Sequence, residues 1–397
     1  MKILFVPRVG GDRNPVQKFN RELFDNIFLE TLANVANSEG TSRLFTVKST
    51  GYKKYHPDAI IEILEEEKPD ILLLERDIML CQRGKSYNCK GDINYLLGYL
   101  EDNVPMVVSE PELLILCSYK QYYSLPEFER FILPGTKIIN SPSMIDDRFD
   151  FDTYPVYIAK LPHTSANRGI FSDISASNQA EKISNINLVL NKWMLDDVII
   201  QPQLTDMSEF RVIYIGDKIF DIIATESFGV INELGQLPMS MIQYNSCTSD
   251  IRKTYIDDDI DKSILEDDDE FNEYCKRLST RYGTNASEII CHFELYYRHH
   301  MKDVATFSNS VFNQLVEYIG KVPVYCRIDV ILDQQTGNFY LNEIEPYSSG
   351  KYNTESILCD FIDKKKHDIN PLNPDIRYNY FQYFAEFFCE ELLRRIS

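Results

Sequence analysis

Residues 326–346, CRIDVILDQQTGNFYLNEIEP, place Asp329, Glu343 and Glu345 in a stretch that otherwise reads as buried strand. Ile328, Val330 and Leu332 alternate on its first half, and Phe339, Leu341 and Glu343 on its second, with the period of a strand. Between them Gln335-Thr336-Gly337 reads as a three-residue hairpin loop, with Gly337 free to take the left-handed conformation. With Gln334 facing Asn338, Asp329 falls opposite Glu343 and Arg327 opposite Glu345, and a bulge would shift this register by one. Side chains alternate along a strand, so these four residues share one face. Ile331, Leu341 and Phe339 are expected on the same face and cover its far half.

Acids on a wet face need no explanation, but acids beside apolar neighbours repel each other and lose hydration unless a cation sits among them. Oxygen-only ligands, with no convergent Cys or His, favour magnesium or manganese over zinc. Magnesium held by a few carboxylates completes its shell with water and substrate phosphates. The hairpin therefore asks for a nucleotide.

A chain of 397 residues is long enough for two or three domains. Hydrophobic content of 44% and charged content of 26% are those of a soluble globular protein. A net charge of −20 argues against a general nucleic-acid or anionic-membrane binder, whose phosphates it would repel. MKILFVPRVGG has too short an apolar run for a secretory leader, and no stretch reaches membrane-spanning length. The nine cysteines are scattered and odd in number, which fits reduced thiols and a cytoplasmic location. Cys291-His292 near His299-His300 matches no zinc spacing and reads as ordinary helix.

The first third alternates strand and helix. Strands are expected at Lys2 to Pro7, Arg43 to Val47, Ile71 to Glu75 and Val104 to Ser109. One helix starts at the Asn14-Pro15 cap and ends before Gly40, and two more fall near 56–67 and 92–102. That rhythm implies a parallel sheet covered by helices, with the GGDR turn at 10–13 at the strand ends where such sheets bind ligands. RGKS at 83–86 is not a P-loop, because Met79 stands where the first glycine belongs.

Further along, Tyr154 to Lys160 reads as a strand, followed by the loop LPHTSANRG and a helical stretch around 177–192. Val198 to Gln203, Glu209 to Ile215 and Lys218 to Ala224 are strands, with Gly216-Asp217 as the last turn. Residues 246–272 are acidic and read as a solvated insertion. Helices follow near 270–281, 286–302 and 307–319. The closing YNYFQYFAEFFCEELLRR is an aromatic-rich helix, read as a packing face on the rest of the molecule, with a homodimer contact as the second reading.

In motif order across roughly residues 1–350, the chain resembles the ATP-grasp superfamily of carboxylate–amine ligases, which includes D-alanine–D-alanine ligase and glutathione synthetase. PVYIAKLPHTSANRGI resembles the family's strand, nucleotide lysine and phosphate-covering loop, giving Lys160, Ser165 and Gly169. Lys120, in CSYKQYYSLPEF, resembles the earlier family lysine on its helix. VIIQPQLTDMSEFRVIYIGDKIF resembles the adenine hinge and ribose acid, giving Gln201, Gln203 and Leu204 as hinge and Glu209 as ribose ligand. RID…YLNEIEP resembles the metal hairpin, with Asp329, Glu343 and Glu345 as ligands and Arg327 facing the reacting groups. Arg211 shares Glu209's face and is placed to reach phosphate or a substrate carboxylate. The loop has one glycine where many relatives have several, the hinge opens on Gln rather than Glu, and Glu345 stands where many relatives carry Asn.

The resemblance implies an α/β N-terminal parallel-sheet domain followed by a two-subdomain α+β ATP-grasp fold. The expected boundaries are 1–115 for the first domain, 116–204 for the lid and 205–350 for the catalytic part, with an insertion at about 246–305. A helical tail covers 351–397. The implied activity joins a small-molecule or peptide carboxylate to an amine, using ATP and Mg2+ or Mn2+, through an acyl phosphate. Catalysis would come from positioning and charge neutralisation. A kinase on the same scaffold and a non-catalytic ATP-binding regulatory protein are the alternatives. The substrate pocket is expected between the GGDR turn, Arg211, Arg327 and the segment YSSGK after Pro346.

Overall fold

The computed structural model describes residues 2–6, 26–34, 46–49, 57–74, 89–118, 120–139, 157–160, 170–171, 184, 198–204, 207–227, 241–245, 286–347 and 374–396. Among these lie three sheets. The first is wholly parallel in the order β2-β1-β3-β4, from β1 (Lys2–Val6), β2 (Thr46–Ser49), β3 (Ile71–Leu74) and β4 (Met106–Val108). Every residue of β3, ILLL, is buried, as expected of a strand covered on both faces. On one face Leu4, Val6, Leu72 and Leu74 pack under α2 (Pro57–Glu67) and α3 (Cys89–Asn103). On the other, Ile3, Phe5, Ile71 and Leu73 meet Phe28 of α1, helical over 26–34.

The second sheet is antiparallel, in the order β11-β10-β9-β12-β13. Its strands are β9 (Met207–Ile215), β10 (Lys218–Ser227), β11 (Met241–Asn245), β12 (Tyr325–Asp333) and β13 (Phe339–Glu345). Phe210, Val212 and Tyr214 of β9 and Cys326, Ile328, Val330 and Leu332 of β12 bury one face against α5 (Ala286–Ile319). The same core takes in Leu113, Leu116, Tyr122, Phe128 and Phe131, so α4 (Pro111–Ser118) and the two 3-10 turns after it pack on this sheet, while Leu114 of α4 joins the core beside the first sheet. The opposite face carries the charged residues at mid-strand. Toward its Ile213, Ile215 and Tyr325 end it is covered by α6 (Pro374–Ile396) through Phe384, Phe388 and Leu392. Gly216, at φ +63°, turns β9 into β10 directly beneath Glu391 of α6, where an added Cβ would stand 2.7 Å from that carboxylate. Of the C-terminal aromatic stripe, Phe384, Phe387 and Phe388 pack within the molecule.

The third sheet, β5-β8-β6-β7, is antiparallel and built from β5 (Lys137–Ile139), β6 (Tyr157–Lys160), β7 (Ile170–Phe171) and β8 (Val198–Pro202). It positions Lys160 and Gln201.

Several expectations are corrected. The helices expected at 286–302 and 307–319 are one continuous helix, because no Gly or Pro interrupts Met301 to Asn309. Lys120 lies outside α4, in a left-handed conformation with φ 46° and ψ 39°. At the hairpin tip Asp333, not Gln334, bonds to Asn338, and the Gly337 N–H returns to the Asp333 carbonyl. Gly337 does adopt positive φ, at 74°. A bulge between Asp329 and Val330 then resets the register, giving the expected pairs Asp329 with Glu343 and Arg327 with Glu345. Because Val330 pairs with Leu341 and Leu332 with Phe339, those two side chains lie on the apolar face with Val330, not beside the acids. The GGDR turn, the loop LPHTSANRG, residues 348–351, the expected helices around 177–192 and near 270–281, and the acidic insertion from 246 lie outside the described residues, apart from the single residue Ser184.

Candidate active site

The mid-strand register gathers the charges. Asp329 is flanked by Arg211 on β9 and Glu343 on β13. Arg327, two residues before it and on the same face, donates from Nε and Nη2 to the two carboxylate oxygens of Asp329, both at 2.7 Å. This bidentate fork is the strongest side-chain geometry for an ion pair. On β9, Arg211 Nε stands 3.6 Å from Glu209, again an i,i+2 pair on one face. Asp329 and Glu345 are each only 1% exposed.

Two lysines enter from other elements. Lys120, held by its left-handed backbone at the end of α4, pairs with Glu343. Lys160, at the last position of β6 in the third sheet, donates to Asn342 Oδ1 at 2.9 Å. Both lysines are buried. Burial and the neighbouring Lys120 bring the Lys160 pKa down to about 8, against the pull of Glu343, Glu209 and Asp329. Burial likewise raises the Asp329 carboxyl to about 7, although Arg327 and Arg211 pull the other way. Burial works against the Arg327 charge as well, yet Asp329 and Glu345 together hold its pKa above the ordinary value.

Lys120, Lys160, Gln201, Arg211, Arg327, Asp329 and Glu345 are buried, while Gln203, Leu204, Glu209 and Glu343 are half-buried. Gln201 sits on β8 opposite Ile158, its amide beside the Tyr123 hydroxyl, although its Nε2 makes no hydrogen bond of good geometry. Ser165 and Gly169 lie outside the described residues.

The sequence reading missed Asn342, Tyr122 and Tyr123. Asn342 is the extra residue of the bulge, with no partner on β12. The Tyr123 hydroxyl donates to its carbonyl, and the Tyr122 hydroxyl accepts the Ile344 N–H at 3.3 Å. Strict alternation hides such a residue, since it assigns Asn342 to the face away from the acids.

The three acids are the right chemistry for a hard divalent cation, and the strands bring their backbones together. Their side chains are engaged otherwise: Asp329 by Arg327 and Glu343 by Lys120. Among the described residues no three acidic, His or Cys side chains converge closely enough to hold a metal ion. Holding one requires these carboxylates to exchange their cationic partners for it.

A helix-covered parallel sheet, an antiparallel sheet carrying the acids and a small third sheet bringing a lysine over them together define the ATP-grasp fold. Among solved structures, the chain is similar to D-cycloserine synthetase DcsG, with 8% identity, 100% of both chains covered and a TM-score of 0.53. It is also similar to D-alanine–D-alanine ligase from Bacillus anthracis, with 12% identity, 100% of both chains covered and a TM-score of 0.49. A third is the ATP-grasp ligase PsnB complexed with minimal precursor, with 11% identity, 100% of this chain and 99% of that one covered, and a TM-score of 0.46. At these identities the likeness is one of fold. No family model matches the chain, and no curated protein matches it in sequence.

Proposed function

We propose that the protein is an ATP-dependent ligase that joins a carboxylate to an amine. The observation that carries this reading is the arrival of two buried lysines, from separate elements, at consecutive residues of the acid-bearing strand. Buried amines on neighbouring strand positions concentrate positive charge where a polyphosphate would lie. Likeness of fold to a synthetase supports it.

In this reading Lys120 and Lys160 bind the phosphates, with Ser165 and Gly169 as further phosphate ligands. Gln201, Gln203 and Leu204 face the base, and Glu209 accepts the ribose hydroxyls. Asp329, Glu343 and Glu345 would hold Mg2+ or Mn2+, which would neutralise charge on the terminal phosphates. Arg211 and Arg327 hold the substrate carboxylate. A carboxylate oxygen attacks the γ-phosphorus and ADP leaves. The amine nitrogen then attacks the acyl carbon, phosphate departs and the nitrogen loses a proton.

The test is product analysis in a screen of acids with hydroxylamine as the amine. ADP, phosphate and an acyl hydroxamate are expected. AMP with pyrophosphate would overturn the mechanism, and a stable phosphorylated alcohol would establish a kinase instead.

A further inference from the structure

On a regular strand Asn342 and Glu343 would face opposite sides of the sheet. Here β12 runs without interruption while β13 carries one residue more, so that Val330 pairs with Leu341, Asp329 with Glu343, and Asn342 is left over. A bulge frees one residue from the ladder, and its backbone groups then need partners elsewhere. The Asn342 carbonyl finds the Tyr123 hydroxyl, and its side-chain oxygen finds Lys160 of the third sheet at 2.9 Å. One residue therefore ties the acid strand to β6, and through Tyr123 to the surroundings of Gln201 on β8.

We infer that Asn342 is a positioning residue for Lys160: the bulge exists to aim a neutral acceptor at the buried ammonium, holding it over the acids before nucleotide arrives. The inference rests on the ligase reading only in taking Lys160 as a phosphate ligand. The chemistry of the acceptor is what makes the arrangement suit that purpose. Lys160 is 7% exposed, and a buried ammonium without an acceptor is costly. A carboxylate at this position would satisfy it but would also compete with an incoming phosphate for the same charge. An amide oxygen satisfies the hydrogen bond and adds no charge of its own, so the lysine transfers readily to a stronger anion. Glu343 next door treats Lys120 differently, with a full ion pair. The two lysines are thus held by different bonds, and the acceptor that meets Lys160 carries no charge of its own.

The experiment compares wild type, Asn342→Ala, Lys160→Ala and the double variant by calorimetric titration with ATP. Asn342→Ala should weaken ATP binding about tenfold in the wild-type background, the scale of one hydrogen bond to a charged group. It should have no further effect when Lys160 is already alanine. An equal loss in both backgrounds would mean that Asn342 only shapes the bulge, and would overturn the inference, as would no loss in either. A second measurement needs no nucleotide: the rate of Lys160 labelling by trinitrobenzenesulfonate, read by peptide mass spectrometry at pH 7. Asn342→Ala should speed labelling several-fold and Asn342→Asp should slow it. Rates unchanged in both variants would overturn the inference. A wild-type protein that fails to bind ATP would sink the ligase reading, while the labelling rates would still decide whether Asn342 holds Lys160.

Discussion

Arg327 grips Asp329 with two 2.7 Å hydrogen bonds from two positions along the same strand, in a setting where both side chains are buried. The pair explains how an acid that burial drives toward neutrality is tolerated at mid-sheet. It also sets a condition on function, because the fork that stabilises Asp329 competes with any metal for the same oxygens. Asp329→Asn should therefore abolish metal-dependent turnover and also destabilise the fold. Loss of one partner leaves the Arg327 charge buried with a weaker acceptor, at a cost of roughly 1–3 kcal/mol. A melting temperature equal to wild type would show that the fork contributes nothing.

Glu343→Gln should separate from Asp329→Asn. The glutamine keeps the shape and one acceptor for Lys120, and it removes like-charge repulsion between Glu343 and Asp329, its neighbour across the strand pair. These effects oppose each other, so the melting temperature should stay close to wild type while magnesium-dependent ATP turnover is lost. Turnover within about twofold of wild type would exclude Glu343 from the metal set, since losing a metal-ligating carboxylate costs far more than that.

Lys160→Ala should weaken ATP binding at least tenfold, on the order of one charge-assisted contact. The melting temperature without nucleotide should hold or rise. Burial already lowers the Lys160 pKa to about 8, so the folded protein bears a cost for this ammonium that alanine removes. Unchanged affinity in calorimetry would reject the assignment.

Much of this site was legible because the acids obey a period of two. The pairing of Asp329 with Glu343 and of Arg327 with Glu345 follows from alternation and one glycine turn. The turn itself was not legible: Asp333 accepts from the Thr336 hydroxyl and from the Gln335 N–H, and pairs with Asn338 across a tip of residues 334–337, one residue longer than the hydrophobic pattern implies. That displacement of one residue is what the bulge absorbs, and with it went the faces of Phe339 and Leu341 and the role of Asn342. Lys120 was singled out by its neighbourhood in CSYKQYYSLPEF, but no local pattern reveals its left-handed backbone, which precedes the buried Tyr122, Tyr123 and Phe128. The long α5 was divided in two although no Gly or Pro lies between Met301 and Asn309, so nothing in the local sequence marked an end there.

Arg211 offers a test of substrate orientation apart from nucleotide binding. It faces Asp329 across the β9–β12 pair and contacts Glu209 at 3.6 Å, on the same face as the acids. Arg211→Lys keeps a charge but loses the planar fork that holds a carboxylate in two places. Hydroxamate formation should fall by about tenfold or more, with ATP affinity changed by less than about threefold, if the guanidinium holds the acid rather than the nucleotide. Equal losses in the two measurements would move Arg211 to the phosphate side.

The last prediction lies outside the site. Glu110, at the carboxyl end of β4, is buried and accepts the Val324 N–H at 2.8 Å, just before the strand that carries Arg327 and Asp329. Its second oxygen, Oε2, has no hydrogen-bond partner. Burial pushes its pKa up to about 7, although the Val324 bond and the charges of Arg395 and Lys321 resist. A carboxyl whose folded pKa is raised binds its proton more tightly in the folded state. Its stabilising contribution is therefore complete below the unfolded pKa, about 4.5, and is lost as pH rises through about 7. Glu110→Gln keeps the acceptor for Val324 and cannot ionise, so it should melt above wild type at pH 8. The gain is on the order of 1–3 kcal/mol from a shift of this size. The two proteins should converge as pH falls toward about 4.5, the lower edge of that window. Melting curves across this range decide the matter: a difference independent of pH would show that Glu110 does not change protonation on folding, and a lower melting temperature for the variant at pH 8 would show that its charge is needed by Arg395 and Lys321.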